Sequence, residues 1–336
     1  MPEQFCDVGR GVTLCFETFG DPADPAALLV MGLGTQMIAW HGDFCEELAG
    51  RGFHVVRFDN RDIGHSTHMQ SPPPTIPQLL RRDKHAASYT LADMAQDTAG
   101  LLRELELEPA HVIGASMGGM IAQTLAARNP RQVRSLVSIM SNTGRLRSGQ
   151  PSLRIYPQFI KRLSLGRRDA HPDRDAYVAA AEDLFATIGS SGLPRDPQDI
   201  RELIEMSYDR DHDPNGTGRQ LAAIMASGDR TAELAQITAP TLVVHGTADP
   251  LVAYSGGRAT ARAIPGARLM SIEGMGHDLP RAVWPRLIDA ITRHARRAEE
   301  HSHRSPDERP ASDPHEQAER NLPQQAATTP VAGPLG

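Results

Sequence analysis

The chain has 336 residues, 40% of them hydrophobic and 23% charged, an ordinary composition for a globular protein with a sizeable core. Its net charge of −6 gives no reason to expect nucleic acid or an anionic membrane surface as a partner. No run approaches the roughly 18 apolar residues of a membrane span, and the N-terminus lacks the basic start and apolar core of a signal peptide. The three cysteines, Cys6, Cys15 and Cys45, have no metal-type spacing, so a soluble cytoplasmic protein with free buried thiols is expected.

Taken in order, Val12 to Phe19 alternates as a strand, with Phe5 to Val8 as its partner, before the dense turn signal Gly20-Asp-Pro-Ala-Asp-Pro25. Ala27-Leu-Leu-Val-Met31 is a continuous apolar run, as in a strand buried on both faces, and runs straight into Gly32-Leu-Gly-Thr35. Met37 to Leu48 reads as one helix with Trp40 and Phe44 on one face and Gly50 as its stop. His54 to Phe58 is the next strand, leading into Asp59-Asn-Arg-Asp-Ile-Gly-His-Ser66. Residues 67–89 are a proline-rich excursion without a period. Apolar residues at three-four spacing then predict an amphipathic helix over 90–107.

Val112-Ile113 leads into Gly114-Ala-Ser-Met-Gly118, and a small-residue helix follows from Met120 to Arg128. This is G-x-S-x-G between a strand and a helix, the context in which a strained turn presents a serine at the sheet edge. Glycines 114 and 118 leave no Cβ to clash there. Val133 to Met140 is a further strand, and the alternation implies a mostly parallel sheet covered on both faces.

Between about 145 and 230 no clear strand occurs. Helical patterns over 153–165, 176–188, 200–208 and 219–225 predict a helical cap inserted between two strands. Its apolar residues Ile155, Tyr156, Phe159, Tyr177, Leu184, Phe185, Ile204 and Met225 suit either a pocket wall or helix packing. The core pattern resumes with a strand over 237–246, a helix over 255–264, a strand over 267–272 and a helix from Val283 to about Glu300. The core is thus 1–144 and 231–300, and 301–336 reads as a disordered tail.

A serine hydroxyl is a poor nucleophile until an oriented base takes its proton. Asp249 and His277 each follow a strand, in the order serine, acid, histidine, which makes Ser116, Asp249 and His277 the expected triad. Asp249-Pro250 also suits an ordinary Asx turn, and His277 could be a surface histidine, as His294 and His301 are taken to be. Asp278 is too close in sequence to His277 to serve as its acid, and His245 has an expected structural role. Attack on an ester needs oxyanion donors. The backbone N–H groups of Met117 and Leu33 are the candidates, the second set in the glycine turn Gly32-Leu-Gly34. Asp59 and Arg61 read as a buried pair bracing that turn, with Gly32, Gly34, Met37, His65, Met117, Tyr156, Phe159 and Met225 as candidate substrate contacts. Gly32-x-Gly34 lacks the rest of a dinucleotide fingerprint, and His301-Ser-His303 lies in the tail, so no metal and no cofactor is expected.

With Met31-Gly-Leu-Gly34, Asp59-Asn-Arg-Asp-Ile-Gly-His-Ser66, Gly114-Ala-Ser-Met-Gly118, Thr247-Ala-Asp-Pro250 and Gly274-Met-Gly-His277 in place, the chain resembles the α/β-hydrolase fold superfamily over residues 5–298. Phe19-Gly-Asp-Pro-Ala-Asp-Pro25 followed by Leu28-Leu-Val-Met-Gly32 is similar to the aclacinomycin methylesterase type. It departs in having Met31 where many members place a histidine. The resemblance implies an eight-stranded, mostly parallel sheet with the cap between strands six and seven. It also implies hydrolysis of a small-molecule carboxylic ester through an acyl-enzyme. The same triad could serve acyl transfer, C–C bond hydrolysis or cofactor-free perhydrolysis, and a non-catalytic ligand receptor is the more distant reading. Neither nucleic acid nor a membrane is an expected partner, and nothing in the sequence sets an oligomeric state.

Overall fold

In the computed structural model, the described residues are 2–81, 83–152, 155 and 173–303. Tyr156, Phe159, most of the helical pattern over 153–165, and the expected tail beyond His303 lie outside them. The strands are β1 (Gln4–Asp7), β2 (Thr13–Phe19), β3 (Ala26–Val30), β4 (His54–Phe58), β5 (Ala110–Ala115), β6 (Val133–Ile139), β7 (Thr241–Gly246) and β8 (Arg268–Ile272). They form one sheet in the order β1-β2-β4-β3-β5-β6-β7-β8. Only the β1–β2 and β2–β4 pairings are antiparallel. The parallel pairs run from β4 through to β8.

The described helices are α1 (Gly42–Ala49), α2 (Ile76–Leu80), α3 (Leu91–Glu104), α4 (Met117–Arg128), α5 (Arg174–Ile188), α6 (Pro197–Arg210), α7 (Pro214–Ser227), α8 (Thr231–Leu234), α9 (Ser255–Ala263) and α10 (Trp284–His303). Strand side chains alternate between two cores, as the period of two requires. Leu28, Val30 and Val112 pack on one face with residues of α3 and α4. Ala27, Leu29 and Ile113 pack on the other with α1 and α10. That is why the central strands read as unbroken apolar runs. Between β6 and β7, α5 and α6 have a small apolar cluster of their own, Val178, Ala181 and Ile204.

Several elements differ from expectation. The helix expected over 37–48 is two pieces, a 3-10 turn at Met37–Ala39 and α1. The break at Trp40 follows from its carbonyl, which accepts from the Arg57 guanidinium of β4 and leaves the helical path. His41 then caps α1, its Nδ1 accepting from the Asp43 N–H at 3.1 Å. The excursion after β4 holds α2, started by a capping box in which Thr75 and Gln78 satisfy each other's backbone N–H. The strand expected from Ile237 starts only at Thr241, after Pro240, which has no N–H for a ladder. His294 is not a surface residue: it is 5% exposed on α10 and its Nε2 donates to the Pro240 carbonyl at 3.1 Å. No described helix is long and apolar enough to cross a membrane.

Candidate active site

Ser116 sits between β5 and α4 at φ 55° and ψ −118°, a region that a residue with a Cβ rarely enters. The neighbouring backbone dictates glycine on both sides. A Cβ at Gly114 would overlap the Gly118 carbonyl, and one at Gly118 would overlap the Val30 carbonyl of β3. The sharp turn is possible only because β5 and α4 approach this closely.

Asp249 and His277 stand in the loops after β7 and β8. His277 Nε2 is 2.9 Å from Ser116 Oγ, and His277 Nδ1 is 2.7 Å from Asp249 Oδ2. The other Asp249 oxygen accepts the N–H groups of Leu251 and Val252 at 2.9 and 2.8 Å. Burial raises the Asp249 carboxyl pKa. The neighbouring His277 ring, with hydrogen bonds from His277 and Val252 and the nearby His245, outweighs burial and brings it down to about 2. A carboxylate that remains ionised accepts only, so His277 carries its proton on Nδ1 and offers a lone pair at Nε2 to the serine.

His245, fully buried, donates Nε2–H to the Val252 carbonyl at 2.8 Å and lies 3.5 Å from Asp249 Oδ2. Asp278 faces away from the His277 ring: Oδ1 accepts the Ser190 N–H and hydroxyl, and Arg195 lies 3.7 Å from Oδ2. The His277 N–H donates to the Ile188 carbonyl at the end of α5 at 2.7 Å, so an inserted helix helps hold the histidine loop.

A cavity of about 1600 Å³ contains Ser116 and His277. Met31, Met117, Met120, Met140 and Met225 contribute soft apolar surface to its wall, joined by Ile155, Tyr177, Leu184, Phe185 and Ile204. Gly32 lies against the serine, where an added Cβ would be 3.2 Å from Ser116 Cβ. The backbone N–H groups of Leu33 and Met117 have no acceptor among the described residues, the second because it opens α4. Two expected contacts stand elsewhere. Met37 is fully buried outside the cavity wall, its N–H drawn to Asp59 Oδ1 at 2.7 Å. His65 lies between Glu3 and the Arg210 carbonyl, at 2.6 and 2.8 Å.

The expected Asp59–Arg61 pair does not form. Arg61 turns to Asp97 of α3, and Asp59 pairs with Arg210 of α6 at 2.6 Å. Burial pushes the Asp59 carboxyl up, opposed by Arg210 and by the N–H groups of Met37 and His65. Asp62 accepts Arg219 of α7 at both oxygens, at 2.9 and 2.7 Å. Two groups of metal-ligand type, Glu3 with Cys15 and His65, and Asp62 with His68 and Asp213, are already bridged by the guanidinium groups of Arg210 and Arg219. These arginines gave no signal in the sequence, since a charged residue in a helical pattern reads as solvent-facing.

The model of the alpha/beta hydrolase fold family matches residues 25–280. Rhodomycin D methylesterase DauP of Streptomyces sp. (strain C5) is 31% identical over 302 residues, covering 85% of this chain and 96% of that protein. Rhodomycin D methylesterase DnrP of Streptomyces peucetius is 30% identical over the same shares. Among solved structures, the enol-lactonase from Burkholderia xenovorans LB400 superposes with a TM-score of 0.66 at 23% identity, over 88% of this chain and 100% of that one. With a family model matching residues 25–280 and relatives aligned over most of both lengths, the chain belongs to the alpha/beta hydrolase fold family.

Proposed function

We propose that the protein is a serine hydrolase that cleaves a carboxylic ester of a small molecule through Ser116, His277 and Asp249. The observation that carries this reading is the unbroken chain Ser116 Oγ, His277 Nε2, His277 Nδ1, Asp249 Oδ2, at 2.9 and 2.7 Å, inside the large apolar cavity. Ser116 Oγ attacks the ester carbonyl carbon while its proton passes to His277 Nε2. The resulting oxyanion takes the N–H groups of Leu33 and Met117, which have no acceptor among the described residues. His277 then protonates the departing alkoxide and leaves an acyl-serine. Water attacks that ester, gives its proton to His277, and the carboxylic acid leaves as Ser116 is reprotonated. Asp249 holds the tautomer and balances the imidazolium.

Residues 145–230 act as the cap on this reading, over a core of 1–144 and 231–300. The cap wall, with Tyr177, Phe185 and Met225, forms a surface for a bulky apolar acyl group. The relatives named for methyl ester cleavage support a methyl ester as the substrate class.

The test is hydrolysis of p-nitrophenyl acetate and butyrate by wild type, Ser116→Ala and His277→Ala, with a fluorophosphonate probe alongside. Turnover and labelling by wild type, with Ser116→Ala unlabelled and slower by about 10⁶-fold in kcat, is the expected result. A well-folded wild type that the probe does not label would overturn the assignment of the nucleophile.

A further inference from the structure

Three successive peptide units make up the turn after β3, and the outer two are pinned by side-chain amides. Asn60 Nδ2 donates to the Met31 carbonyl at 2.9 Å, which fixes the Met31–Gly32 peptide. Gln220 Oε1 accepts the Gly34 N–H at 2.8 Å, which fixes the Leu33–Gly34 peptide. The unit between them, Gly32–Leu33, carries the Leu33 N–H, which has no acceptor among the described residues.

Gln220 comes from α7, 186 residues along the chain from Gly34, and is fully buried. Its Nε2 donates to the Arg61 carbonyl at 2.8 Å, so both ends of the amide are used. The orientation is settled by chemistry, because an N–H at Gly34 demands the amide oxygen and a carbonyl at Arg61 demands the nitrogen. Helix α7 is also shaped to come this close. A Cβ at Gly216 would overlap the Asp62 carbonyl, and Thr217, one helical turn before Gln220, sits 2.7 Å from where a Cβ of Gly34 would be. Gly34 itself has φ +61°, so the turn needs glycine there.

We infer that Gln220 is a positioning residue for the oxyanion hole: it holds the Leu33–Gly34 peptide so that the neighbouring Leu33 N–H stays aimed at the developing negative charge. This rests on the hydrolase reading given above. It makes the docking of the inserted helices a condition of the chemistry as well as of substrate fit. It also removes the Gly34 N–H from the set of possible oxyanion donors.

The test compares full-length wild type with Gln220→Met, Gln220→Asn, Gln220→Glu and Ser116→Ala on p-nitrophenyl butyrate. Inhibition by an alkyl trifluoromethyl ketone, which forms a tetrahedral adduct, and by butyrate, the planar product, is measured on the same enzymes. For Gln220→Met the expected result is a kcat lower by about 10- to 100-fold, less than loss of a donor itself brings. Expected with it are a KM within about twofold, an unchanged pH–rate midpoint, and a ketone Ki weakened by the same factor as kcat/KM. Gln220→Glu keeps an acceptor for the Gly34 N–H but sets its second oxygen against the Arg61 carbonyl, so it should recover only part of the loss. Should Gln220→Met not fold, Gln220→Asn, one methylene too short to reach both partners, serves the same comparison.

Wild-type kcat and ketone affinity in a folded Gln220→Met or Gln220→Asn would overturn the proposal. So would a loss seen equally in KM and in butyrate binding, which marks a change of cavity shape alone. Either result beside an inactive Ser116→Ala leaves the hydrolase reading standing. An active Ser116→Ala removes that reading itself.

Discussion

Asp249 receives donors from two directions, two backbone N–H groups of its own loop and the His277 ring, with the His245 ring 3.5 Å away. With its pKa at about 2, it remains charged through the whole working range of a histidine base. An asparagine here keeps the shape but can turn an N–H towards His277 Nδ1. The ring proton then belongs on Nε2, where it blocks transfer from Ser116. Asp249→Asn is therefore expected to lower kcat by about 10⁴-fold at neutral pH with little change in Tm, read by stopped-flow hydrolysis and a thermal melt. A loss below about tenfold would mean that the tautomer is set elsewhere. That Ser116, His277 and Asp249 come together was legible because each stands at a strand end in a loop shaped by glycine or proline. Gln220, Arg210 and Arg219 were not, since their partners lie 186, 151 and 157 residues away and nothing local marks them. Met37 was misplaced for a similar reason: Asp59 draws its backbone, and the side chain goes to the core.

At the scale of elements, the elbow depends on β3, β5 and α4 meeting without side chains between them. Gly118→Ala places a methyl group on the Val30 carbonyl, a backbone atom that cannot rotate away. The expected outcome is destabilisation of about 3 kcal/mol, the upper end for overpacking, measured as a lower urea midpoint at unchanged m-value. An unchanged midpoint would show that β3 can yield, and the close approach would then not explain the glycine. Strands were the readable elements, because a run buried on both faces has one simple composition. The break at Trp40 was hidden because its cause, Arg57, lies on β4 and competes for a carbonyl that an uninterrupted helix would use. The capping box at Thr75 and Gln78 was present in the sequence but masked by the surrounding prolines.

Across the whole molecule, the loop after β4 is where the sheet and the inserted helices are tied together. His68 joins them directly: Nδ1 is 3.0 Å from Asp213, and Nε2 is 2.8 Å from the Gly64 carbonyl and 3.4 Å from Asp211. Hydrogen bonds to Asp211 and Asp213 outweigh burial and raise its pKa to about 10. Because the folded value lies above the ordinary one of about 6.5, its stabilisation is complete below pH about 6.5 and is lost as pH rises through about 10. The Tm gap between wild type and His68→Gln should therefore narrow from pH 6.5 to 10 in a series of thermal melts. A constant gap across that range would show that the histidine acts without its charge. The layered sheet was legible from alternation, and the helices between β6 and β7 from a stretch without strand patterns. The ties between them were not, because a buried ion pair has no period.

Asp59 and Asp62 are neutralised by Arg210 and Arg219, which the sheet does not supply. Exchange of residues 145–230 for the equivalent stretch of a relative, the obvious modular route to a new specificity, is constrained by that fact. A donor segment without two arginines in the same register would strand two carboxylates in the interior, at about 3–5 kcal/mol each, before any new substrate had been met. Reshaping the cavity wall one side chain at a time leaves both pairs intact, and is the route by which specificity can drift without unfolding the scaffold.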